Sequence, residues 1–254
     1  MKLYDLTQPL STSTPPWPTY EPLEVKYFKR LSTERVNGQL ISTSNHVGTH
    51  LDGERHFWTA GRDIASVPLE ELVGPGVVVD LSDAVGEYGI YTSEMIEERV
   101  EVKQGDILII HTGYHHYAYN KEEADEEAYM CKHPGPNMEF AEWCKEKEIK
   151  WIGVDCGSAD HPMNTVIRKL RPDLAEECEE KLGQPLTEIF PDEGRQLMHT
   201  KLFPEGIIHV ENLGGEIDKI LNQRIAIGCF PWRFVDGESS ICRVVAFEGM
   251  EALF

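Results

Sequence analysis

The sequence predicts an α/β fold, mixed in the α+β sense, with mixed β-sheets flanked by helices in a single domain spanning 1–254. Three observations carry that expectation. Short apolar runs rich in β-branched residues recur along the chain, helix-like stretches fall between them, and no fixed-period repeat or composition break marks a linker. With 254 residues the chain has room for a full core, as one large domain or two small ones, and the unbroken composition favours one.

The strand candidates, in order, are 76–81, 107–111, 151–154, 206–210, 225–229 and 244–247, each a short apolar run with β-branched residues. A helix is expected to open at Thr92, with Glu94 in its first turn where an acidic side chain meets the positive end of the dipole. Another opens at Asn137 and sets Phe140, Trp143 and Cys144 on one face. The charged stretch 164–182 reads as helical as well, and Pro185 and Pro191 bound the short segment after it. The acidic run 122–127 reads as a solvated loop or helix face.

Charge removes several function classes. Asp and Glu number 44 against 24 Lys and Arg, a formal net charge of -20 that repels polyanions. The densest basic stretches, 26–30 and 168–171, lack the length and aromatic interleaving of a nucleic-acid groove. Nucleic acid and anionic membranes are therefore not expected partners; a small-molecule substrate is. No apolar run approaches the roughly 20 residues a bilayer needs, and the first residues do not read as a secretion signal. The six cysteines are scattered without a CxxC pair, which suits free thiols in a reducing cytoplasm.

Ten histidines exceed what packing needs, and their placement points to chemistry. In 44–56, His46, His50 and Asp52 occupy even positions, so in an extended chain all three project from one face. Two imidazoles and a carboxylate there suit Zn(II) or Mn(II). An HxxxH pair could instead lie on a helix surface, but Gly48 within it costs a helix about 1 kcal/mol. His56 comes next in the same register, flanked by Phe57 and Trp58. His111, His115 and His116 end a strand and enter a loop, lining a pocket or serving structure. Asp155, Ser158 and Asp160 come after the apolar run 151–154, where they could orient ligands through hydrogen bonds. No GxSxG elbow, P-loop or Rossmann fingerprint is present, and no thiol sits in an activating motif.

The run His46-Val-Gly-Thr-His50-Leu-Asp52-Gly-Glu-Arg-His56 resembles the HxGTHxDxxxH signature of the cyclase-like metal-dependent hydrolases, the family of bacterial kynurenine formamidase and isatin hydrolase. Asp5-Leu-Thr-Gln-Pro9 and Pro15-Pro16-Trp17-Pro18 resemble its N-terminal strand and Pro-Trp-Pro loop. His133-Pro-Gly135, Trp143 and the stretch from Gly153 to Asp160 resemble its central block, and His199 and Glu211-Asn212-Leu213 its downstream His and ENL motif. The resemblance implies that His46, His50 and Asp52 hold a divalent metal, Zn(II) or Mn(II), and that His199 and Glu211 complete a centre of one or two ions. It assigns proton transfer to His56. From sequence alone His199 is an ordinary histidine, whereas Glu211, directly after an apolar run, needs a partner or a metal because burying an isolated carboxylate costs several kcal/mol.

The implied function is hydrolysis of a C–N bond in a small formamide or cyclic amide, by a homo-oligomer, dimer or tetramer. Trp17, Phe57 and Trp58 offer aromatic surface for a planar substrate or, equally, core packing. Alternatives are a lactone or ester hydrolase, and a non-catalytic module in which the metal closes a structural site; carboxylate ligands and His56 favour catalysis. Two departures from the family pattern stand out: the stretch 163–196 is longer than in compact formamidases, and Ser239-Ser240-Ile241-Cys242-Arg243 replaces a Gly-Ser-Pro. His161 after Asp160 is a third.

Overall fold

Four apolar runs of the chain become the parallel centre of a mixed sheet. In the computed structural model, which describes residues 2–191 and 196–250, the strands are β1 (Lys2–Asp5), β2 (Glu24–Lys29), β3 (Gly38–Ser42), β4 (His50–Asp52), β5 (Val73–Asp80), β6 (Ile90–Tyr91), β7 (Ile107–His111), β8 (Gly135–Pro136), β9 (Trp151–Val154), β10 (Ile208–Glu211), β11 (Gln223–Pro231) and β12 (Ser239–Glu248). Eight of them form one sheet in the order β1-β12-β11-β5-β7-β9-β10-β4. The neighbours β5, β7, β9 and β10 are parallel. The flanking pairs are antiparallel, and β4 pairs with both β10 and the start of β12, so the sheet closes on itself. The fold is thus of the mixed α/β class.

The parallel strands are unbroken apolar runs because both their faces are buried. Along β7, Leu108 and Ile110 face an outer core shared with Phe140, Trp143 and Cys144 of the helix Met138–Glu146. Ile107 and Ile109 face an inner core with Leu51, Trp151, Val210 and Val244. Asn137 caps that helix by accepting from Phe140 N at 3.2 Å. The helix opening after Thr92 forms over Ser93–Glu97.

Three expectations shift. The run 206–210 enters the sheet later, as Ile208–Glu211, since Gly206 takes φ +77° and ends a turn. Glu211 is thereby a strand residue. The stretch 164–182 is not one helix: Arg171, at φ -130° and ψ 70°, separates Ile167–Leu170 from Pro172–Leu182, where a proline that lacks an N–H starts a new helix. Within 163–196, Leu174, Cys178, Leu186 and Phe190 pack on the outer core, and 192–195 lie outside the described residues. The hairpin of β2 and β3 is an addition to the expected strands; it is exposed along its length and carries no buried-run signature. The six cysteines are free, the acidic run 122–127 is exposed, and no helix among the described residues is long and apolar enough to cross a membrane.

Two histidines are structural. His161 accepts from Met163 N at 3.1 Å through Nδ1, and its Nε2–H donates to the Tyr88 carbonyl at 3.0 Å, which fixes a neutral ring. Burial pushes its pKa down to about 3, and burial likewise pushes His133, whose Nδ1–H donates to the Pro134 carbonyl, down to about 4. Both lie below the unfolded value near 6.5, so the unfolded chain binds these protons first. Their contribution is complete above about pH 6.5 and shrinks as pH falls toward 4. Denaturant titrations should show stability dropping by a few kcal/mol between pH 6.5 and 4, and His161→Asn should flatten that slope. An unchanged slope in the variant would show that His161 titrates normally.

Candidate metal centre and active site

The donors predicted from the signature do converge, though not by strand alternation. Only His50–Asp52 is strand, and Gly48 turns the chain at φ +65°, where a Cβ would lie 3.0 Å from Leu10 Cδ1. That turn swings His46 back until its Nδ1 is 2.9 Å from Asp52 Oδ1. Pairing of β4 with β10 sets Glu211 opposite His50, and the helix Leu197–Leu202 brings in His199. Thr49 fastens the arrangement by donating to the Asn212 carbonyl at 2.6 Å and accepting from Gln8 N.

Asp52 is the junction. His50 Nε2 lies 3.3 Å from Oδ1 and 3.7 Å from Glu211 Oε2. On the other side His199 Nε2 lies 3.5 Å from Asp52 Oδ2 and 3.7 Å from Glu211 Oε1. These groups are nearly fully buried, and His50 Nε2 has no hydrogen bond. Separations of 3.3 to 3.7 Å are long for a charge-assisted hydrogen bond, near 2.8 Å, but match two ligands of one ion, which at ~2.0–2.1 Å bonds and tetrahedral angles sit about 3.4 Å apart. The donor set therefore fits a divalent metal, and a small cavity of about 30 Å³ lies against His46, Asp52, His199 and Glu211.

Outer partners orient the imidazoles so that Nε2 faces the cavity. His50 Nδ1–H donates to the Gly48 carbonyl at 2.8 Å, and His199 Nδ1–H to Asp160 Oδ2 at 2.5 Å. Asp160 also accepts from Met198 N, and Glu211 Oε1 accepts from Ala159 N at 2.7 Å and Ser158 Oγ at 3.2 Å. Asp155 is placed elsewhere: its carboxylate accepts from Thr112, Gly113 and His115 on the β7 side.

His56 stands at the edge of the cluster, its ring 4.2 Å from that of His46. Its Nδ1 is 2.9 Å from Glu238 Oε2, an oxygen also 2.9 Å from His46 Nε2. No sequence motif marks Glu238; pairing of β12 with β4, through Ser239 and Asp52, delivers it, and Ser239 Oγ donates to the Leu51 carbonyl. Burial would lower the pKa of His46, but the Asp52 and Glu238 carboxylates override it and raise it to about 10. His199 is likewise raised to about 10 against burial by Asp160 and Asp52. For His56 burial prevails and the pKa falls below the ordinary value, with the charge of His46 helping. Glu211 is pushed up by burial and then by Asp52.

Trp17 reaches the cavity with Tyr20, Gln196 and Ser158, and its backbone N–H donates to the His46 carbonyl. The Phe57 ring lies 4.8 Å from His199. Trp58 is outside the cavity lining and is held by its backbone to Glu54. His209, buried with neither ring nitrogen hydrogen-bonded, packs on His199 and Phe203.

Fold and donor cluster define a hydrolytic enzyme. The chain belongs to the putative cyclase family, whose model matches residues 4–161. It is 26% identical to a kynurenine formamidase of Bacillus cereus over 245 residues, 95% of each chain. Its fold matches isatin hydrolase A from Ralstonia solanacearum with a TM-score of 0.76 at 21% identity, covering 96% of this chain and 91% of that one. A structure described as a potential metal-dependent hydrolase with cyclase activity matches with a TM-score of 0.67 at 20% identity, over 96% of each chain.

Proposed function

We propose that the chain is a metal-dependent hydrolase that cleaves the C–N bond of a small amide, a formamide or cyclic amide, with water as the attacking group. The observation that carries this reading is the buried Asp52 carboxylate, one oxygen facing His46 and His50 and the other His199. His46, His50, Asp52, His199 and Glu211 would hold one or two ions; His50, Asp52 and Glu211 offer donor atoms within 4.8 Å of one another. Imidazole with carboxylate suits Zn(II) or Mn(II). Such an ion supplies Lewis acidity and lowers the pKa of a water on it from 15.7 to about 7.

The chain's own residues handle the proton. Glu238 accepts from His56 Nδ1–H, which leaves Nε2 as the basic atom, and a lowered pKa keeps the ring neutral at neutral pH. Nε2 takes the proton from water as its oxygen bonds the carbonyl carbon, then returns it to the departing nitrogen as the C–N bond breaks. Trp17 lines the cavity, and Phe57, outside its lining, packs on His199; both offer aromatic surface to a flat acyl or aryl group. The names of the relatives, one a formamidase and one acting on a cyclic amide, support an amide over an ester.

Metal counting on the protein as purified, followed by a screen of aryl formamides, cyclic amides and lactones, tests the reading. Turnover of an amide is expected. Exhaustive chelation should abolish it and lower the Tm, because the ligands tie distant segments together. Full activity with no metal bound would overturn the assignment, and turnover of lactones alone would move it to esters.

A further inference from the structure

A second group of imidazoles lies outside the hydrolytic centre, at the carboxyl ends of β5 and β7. His111 ends β7, His115 and His116 sit in the turn Tyr114–Tyr117, and Asp218 comes from the turn Ile217–Lys219. One potential ligand atom from each lies within 4.8 Å of the others. We propose that these four residues form a second metal site, structural in role, for a borderline divalent transition ion such as Zn(II).

The ring orientations argue for it. Asp80 Oδ1 accepts from His111 Nδ1–H at 2.8 Å, and Asp155 Oδ2 accepts from His115 Nδ1–H at 3.0 Å. Each carboxylate fixes the tautomer that leaves Nε2 with a lone pair, the arrangement in which a carboxylate backs a metal-bound histidine. Both Nε2 atoms then face the same carboxylate: His111 Nε2 is 3.3 Å from Asp218 Oδ1, His115 Nε2 is 3.2 Å from Oδ2, and His116 Nε2 is 3.6 Å from Oδ1. These separations bracket the roughly 3.4 Å expected between tetrahedral Zn(II) ligands. The His111 and His116 separations are long for charge-assisted hydrogen bonds, while His115 Nε2 stands at hydrogen-bond distance from Asp218 Oδ2.

A second observation is independent of spacing. His111 is 3% exposed, and its Nε2 is buried without a hydrogen bond although it points into the group. A buried imidazole nitrogen left without one calls for a partner, and an ion supplies it. Three imidazoles and one carboxylate supply four ligands and leave no open position on a four-coordinate ion, as a structural role requires. The ion would join Asp218 to His115, 103 residues away in sequence. This use also accounts for Asp155, which the hydrolytic centre does not engage.

The test counts Zn(II) bound to the metal-stripped full chain after desalting, by mass spectrometry, in four proteins: unaltered, Asp52→Ala, the double variant His116→Ala with Asp218→Asn, and the variant carrying all three substitutions. His116 and Asp218 are about half exposed, so the double variant should fold, and circular dichroism checks it. It is expected to bind one equivalent fewer than the unaltered chain. Asp52→Ala should retain one equivalent, and combining all three substitutions should remove it. Loading the Asp52→Ala protein with Co(II) should give the absorption of a four-coordinate centre, absent after Asp218→Asn. Equal zinc counts in the double variant and the unaltered chain, or no zinc in Asp52→Ala, would overturn the proposal. Failure of the hydrolytic assignment alone would look different: one equivalent in both the unaltered and Asp52→Ala proteins, lost in the double variant.

Discussion

Asp52→Ala is expected to lose the hydrolytic metal and amide hydrolysis together. Asp52 has one oxygen toward His46 and His50 and the second toward His199, and Glu211 spans only His50 and His199, so removing Asp52 takes away the carboxylate that faces all three imidazoles. Electrophilic stabilisation by a bound ion is worth several kcal/mol, and each 1.36 kcal/mol is tenfold in rate, so turnover should fall on the order of 10³-fold or more. Asp52→Asn keeps the shape and removes the charge; it should also bind the ion poorly, which separates loss of charge from loss of packing. The readouts are metal content, the rate on the best amide of the screen, and circular dichroism. A folded Asp52→Ala protein with its full complement of metal would show that Asp52 is not the junction.

The sheet is legible in the sequence wherever strands are buried on both faces. The runs 107–111 and 151–154 are strands over those same residues, because a doubly buried strand has no polar face to interrupt it. The exposed strands of the 24–42 hairpin have no such signal. At the site, residue types and the HxxxH spacing are readable, but the geometry is not: period-two alternation does not bring His46 to Asp52, and the turn at Gly48 does. Glu238 lies 192 residues from His46 and reaches it only through strand pairing, information no local pattern holds. Asp155 and Asp160 look alike in one loop, yet the chain's path sends Asp155 to His115 and Asp160 to His199. Tertiary pairing, not composition, decides between them.

His56→Ala is expected to keep its metal and lose rate. Its Nδ1 is 2.9 Å from Glu238 Oε2, a contact that orients the ring and leaves Nε2 for proton transfer. General acid–base catalysis typically contributes about 10² to 10⁴-fold, so kcat should fall by that factor with KM little changed. Glu238→Gln offers the complementary measurement. Burial already lowers the pKa of His56, and the Glu238 carboxylate opposes that effect, so removing its charge should lower the pKa further and move the acidic limb of the pH–rate profile to lower pH. Since His46, Asp52 and His56 also offer donor atoms within 4.8 Å of one another, metal content decides between carrier and ligand. A metal-free His56→Ala protein would make His56 a ligand and leave the reaction without its proton carrier.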